Sequence, residues 1–372
     1  MNDGKRIVVF VATLGSGGAE RVAVRICGWL RDAGHVVRLL TLSGVDSDFY
    51  PCPDGVQRLG LNLQAPSGSL VGAIIANLKR WQAVRKAVVD HRADVVLSLG
   101  DRSNVLMLLA TLGMHCRKII SERADPVLQP LSRGWHLLRR WSYPMATLHV
   151  SQSRYASTWI RAHFASLQCE VIGNAGDLEM AALRPVTGAG DLELVRILAV
   201  GRLSREKGVD LLLRAMALAR YRTKVMLQLH VAGDGEERSA LAALAADLKL
   251  GDSVRFLGRV RDIRQVLLDA DVLVMPSRWE GFPNAMIEAM ALGLPVIAAR
   301  CKGGVEDILD TGAGPCALDF PPGDIEAMAN RMVQLAEDAE LRHLLAARGL
   351  KRAADYSPAR IAKAWCTAIE AP

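Results

Sequence analysis

The feature that most constrains the fold is a repeated alternation of short aliphatic runs with longer amphipathic segments. Runs rich in Val, Ile and Leu are typical of parallel strands buried on both faces, and the segments between them are predicted helices. The alternation occurs over 6–151 and again over 195–300. It predicts an α/β protein with two facing doubly wound, Rossmann-like domains. Because ligands bind beyond the carboxyl ends of parallel strands, we expect the site in the cleft between the domains.

Five strands are predicted in each half. Those of the first half cover 6–14, 35–42, 93–99, 117–122 and 146–151, and those of the second cover 195–201, 224–233, 253–258, 271–277 and 294–300. The stretch 173–191 is rich in Gly and polar residues and contains Pro185, which is typical of a linker. The predicted domains are therefore 1–172 and 192–355, with the linker between them.

Composition excludes several other classes of protein. With 372 residues, 51% of them hydrophobic, the chain is long enough for two cores. The seven cysteines are odd in number and lack a CxxC pair, so we expect free thiols in a reducing cytosol. No apolar run approaches the roughly 20 residues that span a bilayer. The start MNDGKRIVVFVATL resembles a signal peptide but continues into GSGGAE without a cleavage site, which favours a first strand.

Positive charge is concentrated in the first half. Residues 1–170 carry 21 Lys and Arg against 12 Asp and Glu, whereas residues 171–372 carry 25 against 27. This excess predicts an anionic partner for the first domain. The segments 74–89 and 133–144 mix Trp and aliphatic residues with Arg and Lys, as in segments that lie on an anionic membrane surface. The alternative is a pair of ordinary amphipathic helices with basic outer faces. We expect no nucleic-acid partner, because recognition modules and aromatic stacking motifs are missing.

The motif GSGGAE, residues 15–20, follows the first predicted strand and opens the first predicted helix. Gly17 and Gly18 let backbone N–H groups approach a phosphate or sugar at a helix N-terminus. The spacing is not the GxGxxG of dinucleotide sites, and the second strand ends without the acidic residue that would hold an NAD ribose. The alternative is a tight turn that binds nothing.

The motif GRLSREKG, residues 201–208, follows the strand at 195–201. Arg202 and Lys207 are two cations at the carboxyl end of that strand, where they can hold a diphosphate and stabilise it as a leaving group. The alternative is a solvated basic loop.

The motif EGFPNAMIE, residues 280–288, follows the strand at 271–277. Pro283 favours a helix that begins there and ends near Leu292, with Glu280 in the loop before it. Glu288 lies in the second turn, and its side chain is directed back toward the helix start.

Both carboxylates of this motif are therefore expected to reach one ligand. We also expect unbonded N–H groups at Phe282 and Asn284 to face that ligand. Carboxylates bind sugar hydroxyls and helix N–H groups bind phosphate, so the pattern predicts a nucleotide sugar. The alternative is two surface glutamates that cap a helix.

We expect neither a metal nor a cofactor. The Asp-x-Asp spacings at 46–48 and 269–271 are found in metal-binding transferases, but the first lies in a polar loop and the second at a helix end. The eight histidines have no zinc-ligand spacing.

Taken together, these motifs resemble family 4 of the retaining glycosyltransferases, which have the GT-B fold. The resemblance rests on GSGGAE, VGRLSREKG, VAGDG, VRFLGRV, MPSRWEGFPNAMIEAMALGLPVIAA and YSPARIAKAW, and it is densest from 196 to 308. It implies an acceptor-binding first domain, a donor-binding second domain, and a last helix over 356–372 that crosses back to the first domain. It also implies retention of anomeric configuration without a metal.

The resemblance assigns roles to individual residues. Arg202 and Lys207 bind the donor diphosphate, Glu280 contacts the transferred sugar, and Glu288 binds the ribose. The implied donor-binding set is Gly17, Gly18, Arg202, Lys207, Val260, Glu280, Gly281, Phe282, Asn284 and Glu288.

One departure from the family concerns the end of the strand at 117–122. Many relatives carry a His there, whereas this chain reads SERADP, so Glu122 or Arg123 takes its place. A subset of bacterial surface-polysaccharide transferases resembles this version, and we assign Glu122 to the catalytic set with Glu280, Arg202 and Lys207.

The resulting prediction is a cytoplasmic enzyme that lies on the inner face of the cell membrane. It transfers a hexose or N-acetylhexosamine from a nucleotide sugar, UDP-linked in preference to GDP-linked, to a lipid-linked saccharide or glycolipid. The alternatives are transfer to a soluble acceptor and a non-catalytic protein that binds nucleotide sugars.

Overall fold

The structure is a computed structural model that describes residues 4–15, 17–64, 70–123, 127, 131–176, 193–260, 262–312 and 314–371. The chain divides into two compact units. Unit 1 consists of Met1–Asn174 and Ala359–Pro372, and unit 2 consists of Ala175–Pro358. Most of the predicted linker at 173–191 lies outside the described residues.

Unit 1 contains a parallel sheet of seven strands in the order β3-β2-β1-β4-β5-β6-β7. The strands are β1 Arg6–Val11, β2 Val36–Thr41, β3 Gln57–Gly60, β4 Val95–Leu99, β5 Arg117–Ser121, β6 Leu148–Ser151 and β7 Gln168–Val171. The helices between them are α1 Gly18–Asp32, α2 Leu70–His91, α3 Asp101–Ala110, α4 Arg133–Ser142 and α5 Arg154–His163. The aliphatic runs of the central strands are buried on both faces, as in β4, where every residue is buried.

Unit 2 contains a parallel sheet of six strands in the order β10-β9-β8-β11-β12-β13. The strands are β8 Leu194–Val200, β9 Met226–Ala232, β10 Val254–Gly258, β11 Val272–Met275, β12 Val296–Ala299 and β13 Leu318–Phe320. The helices are α6 Val209–Ala219, α7 Arg238–Asp247, α8 Ile263–Leu268, α9 Asn284–Ala291, α10 Gly304–Leu309, α11 Ile325–Glu337 and α12 Ala339–Ala353. One core lies under α6, α7 and α11, and the other under α8, α9 and α10.

The last helix, α13 Pro358–Glu370, packs in unit 1. Its carboxyl end accepts hydrogen bonds from the Lys5 ammonium at the Ile369 and Glu370 carbonyls, at 3.3 and 3.1 Å. Trp365 of the same helix is buried. The chain therefore returns to its first unit after completing the second.

Two doubly wound parallel sheets confirm the predicted α/β class. The sequence analysis missed β3, β7 and β13, which are edge strands of three or four residues. An edge strand has one neighbour and part of its surface in solvent, so it lacks the continuous aliphatic run that marks a central strand.

Candidate active site

Two neighbouring strands of unit 2 bring the main motifs together. β8 pairs with β11 in parallel, so the loops that follow them leave the same edge of the sheet side by side. The loop after β8 carries Arg202 and a short 3-10 turn, Arg205–Lys207. The loop after β11 runs from Pro276 to Pro283 and carries Glu280.

Gly208 allows these two loops to approach closely. It has φ of 66° and ψ of 23°, the left-handed conformation that favours glycine, and it is the N-cap residue directly before α6. A Cβ atom at this position would overlap the carbonyl oxygen of Pro276. The glycine that ends GRLSREKG therefore places Lys207 against the end of β11.

Lys207 and Glu280 form the central contact of the site. The Lys207 ammonium donates to both carboxylate oxygens of Glu280, at 2.6 and 2.8 Å, and the Ser277 hydroxyl donates to one of them at 2.7 Å. The Glu280 side chain is 6% exposed and that of Lys207 is 25% exposed. The carboxylate is thus held from two sides, and the cation retains access to solvent.

Arg278 fastens the same two loops from the outside. Its guanidinium binds the Asp210 carboxylate through two hydrogen bonds of 2.8 and 2.7 Å, and it also donates to the Arg205 carbonyl at 2.7 Å. The hydrogen bonds to Asp210 raise the pKa of Arg278 above its usual value. Sequence reasoning missed Arg278, Asp210 and Ser277, because nothing in the spacing shows which loop residues turn toward each other.

Gly303, after β12, supports Glu280 from a third direction. The backbones of Glu280 and Gly303 form an isolated parallel bridge. Gly303 has φ of 110°, and a Cβ atom there would overlap the Glu280 carbonyl oxygen. This position therefore requires glycine on both conformational and steric grounds.

The start of α9 differs from the prediction in two respects. The helix begins at Asn284, with Pro283 as the residue before its first turn. The Asn284 N–H donates to the Phe282 carbonyl at 3.1 Å, so the expectation that it is unbonded is wrong. The Phe282 N–H has no acceptor among the residues that the structure describes. Of the two N–H groups that were expected to be unbonded, only that of Phe282 is therefore available to a ligand, because the chain forms a tight turn before the helix.

The Phe282 side chain belongs to the hydrophobic core. It is 8% exposed and packs edge-on against Tyr356, with ring centroids 5.5 Å apart. Its backbone, and not its ring, is the part that can meet a ligand. Glycine at 304 fits against the same ring, since a Cβ atom there would come within 2.9 Å of it.

The remaining residues of unit 2 that were predicted to bind the nucleotide sugar differ in their exposure to solvent. Glu288 lies in α9 and is buried, whereas Val260 is half-buried against the core beneath α9. The Arg202 side chain is exposed and makes no hydrogen bond or ion pair with any described residue. The structure thus joins Lys207 to Glu280 directly and leaves the Arg202 guanidinium, in the same loop as Lys207, available to a ligand.

The glycine turn of unit 1 is occupied by a carboxylate. Gly17 precedes α1, and a Cβ atom there would overlap the Glu20 carboxylate. Glu20 in turn accepts a hydrogen bond of 3.0 Å from the Thr13 hydroxyl. A carboxylate in the first turn takes up part of the favourable potential of the helix N-terminus. The contact of Gly17 and Gly18 with donor phosphates stays a prediction.

Glu122 lies inside unit 1, where it is nearly buried. Its carboxylate accepts a hydrogen bond of 2.9 Å from the Arg139 guanidinium and another from the Tyr143 hydroxyl. Arg139 is itself 3% exposed and lies over the Trp159 ring, 4.5 Å from its centroid. This geometry favours a structural role for Glu122 and gives its predicted catalytic role no support.

The buried ion pair affects the neighbouring titratable groups. Burial and the Glu122 carboxylate raise the pKa of Tyr143 well above its usual value. Burial and the Arg139 charge lower the pKa of His149 to about 3, so this histidine is neutral at physiological pH.

The two Asp-x-Asp spacings serve local structure. Asp48 pairs with Arg58 at 2.7 Å, and Asp271 accepts a hydrogen bond of 2.8 Å from the Arg196 backbone N–H. Within the described part of the chain, no three His, Cys, Asp or Glu side chains are grouped as metal ligands. Among the helices of the same residues, none combines the length and the apolar character that crossing a bilayer requires.

Comparison with known proteins identifies the family of both units. A model of the family described as Glycosyl transferases group 1 matches residues 191–352, and a model of the Glycosyl transferase 4-like domain matches residues 17–175. A Campylobacter jejuni enzyme, GalNAc-α-(1→4)-GalNAc-α-(1→3)-diNAcBac-PP-undecaprenol α-1,4-N-acetyl-D-galactosaminyltransferase, is 26% identical over 98% of both chains.

Two solved structures share the fold along almost the whole chain. Sucrose-phosphate synthase from Thermosynechococcus elongatus has a TM-score of 0.82 at 20% identity, covering 97% of each chain. Anabaena HepE in complex with UDP-glucose has a TM-score of 0.79 at 20% identity, covering 99% of this chain and 100% of that one. The chain therefore belongs to family 4 of the glycosyltransferases and has the GT-B fold.

Proposed function

We propose that this glycosyltransferase moves a hexose or N-acetylhexosamine from a nucleotide sugar to a lipid-linked saccharide, with retention of anomeric configuration and without a metal. The observation that carries the proposal is the contact between Lys207 and Glu280, with Arg202 in the same loop. One acid and two cations lie where two adjacent parallel strands end.

Lys207 has capacity for a second anion. An ammonium group has three N–H donors, and the two Glu280 contacts account for two of them. The third is available for a phosphoryl oxygen, and Arg202 adds a planar guanidinium that suits phosphate. Together the two cations stabilise the charge that develops on the departing diphosphate, a role that many other transferases give to a metal.

Glu280 is suited to the transferred sugar. Its carboxylate has about four lone-pair directions, and Lys207 and Ser277 use three of them. The fourth can accept a hydrogen bond from a sugar hydroxyl. The backbone of Gly281 and Phe282 and the N-terminus of α9 with Asn284 are proposed to meet the sugar and phosphates, Glu288 the ribose, and Val260 the base.

The donor is proposed to be UDP-linked, and GDP-linked donors are the second choice. The likeness to HepE, whose structure holds UDP-glucose, supports this order. Retention follows from the family resemblance, in which the acceptor attacks from the face that the diphosphate leaves and the diphosphate helps to take its proton.

The acceptor is proposed to be a saccharide on a polyprenyl diphosphate. The Campylobacter relative is named for such an acceptor. In unit 1, the exposed side chains Val71, Ile74 and Leu78 follow helical spacing along α2. α4 exposes Leu137 and Trp141, which are 70% and 58% exposed, beside the exposed cations Arg133 and Arg140.

Both helices pack against α3, so they cover one side of the sheet of unit 1. Apolar side chains flanked by Arg and Lys are the pattern of a surface that rests on anionic lipid headgroups. We propose that the enzyme binds the inner face of the cell membrane through this surface, which would bring it to a lipid-anchored acceptor.

The test is a transfer assay with the purified full chain. UDP- and GDP-sugars are each supplied with a saccharide on a short polyprenyl diphosphate, and the product anomer is read by NMR. The proposal expects turnover with at least one UDP-sugar, an α-linked product, and the same rate in the presence of EDTA. A donor that binds without transfer or hydrolysis would favour the non-catalytic alternative, and equal rates with a free saccharide would favour a soluble acceptor.

A further inference from the structure

Arg123 is an arginine of unit 1 to which the proposed mechanism gives no role. It follows Glu122 directly, two residues after the end of β5. Successive residues of an extended chain point in opposite directions, and the two side chains do so here. Glu122 turns inward to Arg139 and Tyr143, whereas the Arg123 guanidinium contacts a different group of residues.

Three consecutive strands supply the partners of Arg123. Nη1 donates to the Ser121 hydroxyl of β5 at 3.4 Å, and Nη2 donates to the side-chain oxygen of Asn174, which follows β7. The Gln152 carboxamide follows β6. With its oxygen turned toward Arg123, it accepts from Nε at 2.6 Å and from Nη2 at 3.2 Å. The carboxyl ends of β5, β6 and β7 therefore converge on one guanidinium.

All three partners are neutral and buried, with Ser121, Gln152 and Asn174 at most 6% exposed. Among the residues that the structure describes, no carboxylate lies within ion-pair distance of Arg123. Its immediate neighbour Glu122 has its charge matched by Arg139 instead. Neutral oxygens fix the orientation of a guanidinium and leave its charge uncompensated.

Arg123 as a residue is half-buried, so one part of it remains accessible. A guanidinium has five N–H donors, and the contacts above leave at least one N–H on Nη1 without an acceptor in the described structure. Burial lowers the pKa of Arg123 to about 9, which still leaves it charged at neutral pH. An oriented, unmatched cation at the carboxyl edge of a parallel sheet is a site for an anion.

We propose that Arg123 binds a phosphoryl oxygen of a substrate. In this proposal Arg139 is a positioning residue, because its ion pair with Glu122 holds the Glu122 carboxylate away from that anion. The proposal rests on the proposed function, since a glycosyl transfer from a nucleotide sugar to a polyprenyl-linked saccharide involves two diphosphates. Either the donor or the acceptor can supply the anion.

The first test does not depend on catalysis. Binding of inorganic pyrophosphate is measured by calorimetry on the full chain carrying Lys207→Ala, which removes the main phosphate ligand of unit 2. We expect residual binding that Arg123→Gln weakens by roughly tenfold to a hundredfold, the range for one charge-assisted hydrogen-bond partner. Arg92→Gln is the matched control, because Arg92 is exposed at the amino end of β4, on the opposite edge of the sheet.

Two outcomes of this test would overturn the proposal. One is a Lys207→Ala protein that binds no pyrophosphate, and the other is equal affinity with and without Arg123→Gln. The second outcome together with a lower melting temperature would mean that Arg123 only joins three loops. Arg123→Lys keeps the charge but loses the planar fork, so we expect binding between that of the parent and that of the Gln variant.

The second test separates the two sources of the anion. The same saccharide is supplied on a diphosphate-linked lipid and on a neutral alkyl chain of equal length. If the acceptor supplies the anion, Arg123→Gln raises KM for the first acceptor by roughly tenfold to a hundredfold and leaves the second unchanged. If the donor supplies it, kcat/KM for the donor falls equally with both acceptors. Unchanged kinetics in both arms would overturn the proposal. A parent enzyme without any turnover would refute the proposed function, and the pyrophosphate test would still decide the role of Arg123.

Discussion

Each unit places a glutamate after a parallel strand and in contact with a cation, but the two pairs differ in access to solvent. In unit 1, the side chains of Glu122 and Arg139 are 7% and 3% exposed, and aromatic rings surround the guanidinium. In unit 2, Glu280 is equally buried, whereas Lys207 is 25% exposed.

This difference separates a structural pair from one that can serve a substrate. A ligand cannot reach the Arg139 charge without opening the core of unit 1. It can reach Lys207, whose side chain retains access to solvent, and Glu280 has a second donor in the Ser277 hydroxyl. The exposure of the cation, and not the presence of the pair, indicates function.

The largest expected effect is on the stability of unit 1. Arg139→Met leaves the Glu122 carboxylate buried without its ion partner, which typically costs about 3–5 kcal/mol. We expect a loss of this size in the free energy of unfolding, measured by urea denaturation. Arg140→Met is the control on the same helix, where the exposed side chain should change stability by less than about 0.5 kcal/mol. Equal stability of the two variants would remove the contrast between the units.

The second-largest effect is expected on the turnover of the enzyme, through the Lys207–Glu280 pair of unit 2. Lys207→Ala and Glu280→Gln should each lower kcat/KM by roughly two orders of magnitude or more, by analogy with loss of one charge-stabilising donor. Steady-state assays with the full chain measure this, and thermal melting should show both variants folded. Lys224→Ala, an exposed lysine before β9, should leave turnover unchanged. Near-normal rates in either site variant would contradict the assigned roles.

A smaller effect is expected at Ser277, whose hydroxyl orients Glu280. Ser277→Ala removes a hydrogen bond from a neutral donor to a charged acceptor. Such bonds are worth about 1.5–3 kcal/mol, and because Lys207 still binds the carboxylate we expect the low end of this range, a fall in turnover of roughly tenfold. The same assay measures it, with the Lys207 contact to Glu280 still in place. A fall as large as that of Glu280→Gln would mean that the hydroxyl has a role of its own in the reaction.

The smallest expected effect is on membrane binding. Ile74→Asp and Leu137→Asp should each weaken binding to vesicles that contain anionic lipid by roughly fivefold or more, from lost apolar burial and added negative charge. Sedimentation with vesicles measures this, and higher salt should weaken binding of the parent protein. Tyr221→Asp in unit 2, where the side chain is 82% exposed, is the control. Equal losses in all three variants would show that the surface of α2 and α4 is not the binding face.

Much of the site was predictable because it depends on spacing along the chain. The distance from Arg202 to Lys207 fits one loop, and EGFPNAMIE places Glu280 before a helix and Glu288 within it. The partners of these residues were not predictable. Ser277 and Gly303 support Glu280, and Arg278 reaches Asp210, through contacts that only the pairing of β8, β11 and β12 brings together.

Glu122 is a residue for which the sequence suggested a functional role that the structure does not support. Its position after a central strand is that of a functional residue, yet its side chain turns inward and that of its neighbour Arg123 does not. A shift of one residue in an extended chain reverses the direction of a side chain, and no local pattern shows where the strand ends. The hydrogen bond that the Asn284 N–H donates to the Phe282 carbonyl, which makes this N–H unavailable to a ligand, also depends on turn geometry that composition does not indicate.

The amino-acid sequence alone determined the α/β class, the two sheets and the loops that carry charge, because aliphatic periodicity and glycine positions act over a few residues. Tertiary structure decided which charges are available to a substrate. Burial and pairing depend on residues far apart in the chain, as with Lys207 and Glu280, which are 73 positions apart and in direct contact. The electrostatic energy of a charged side chain depends on the polarity of its surroundings and on nearby charges, and only the folded chain sets both.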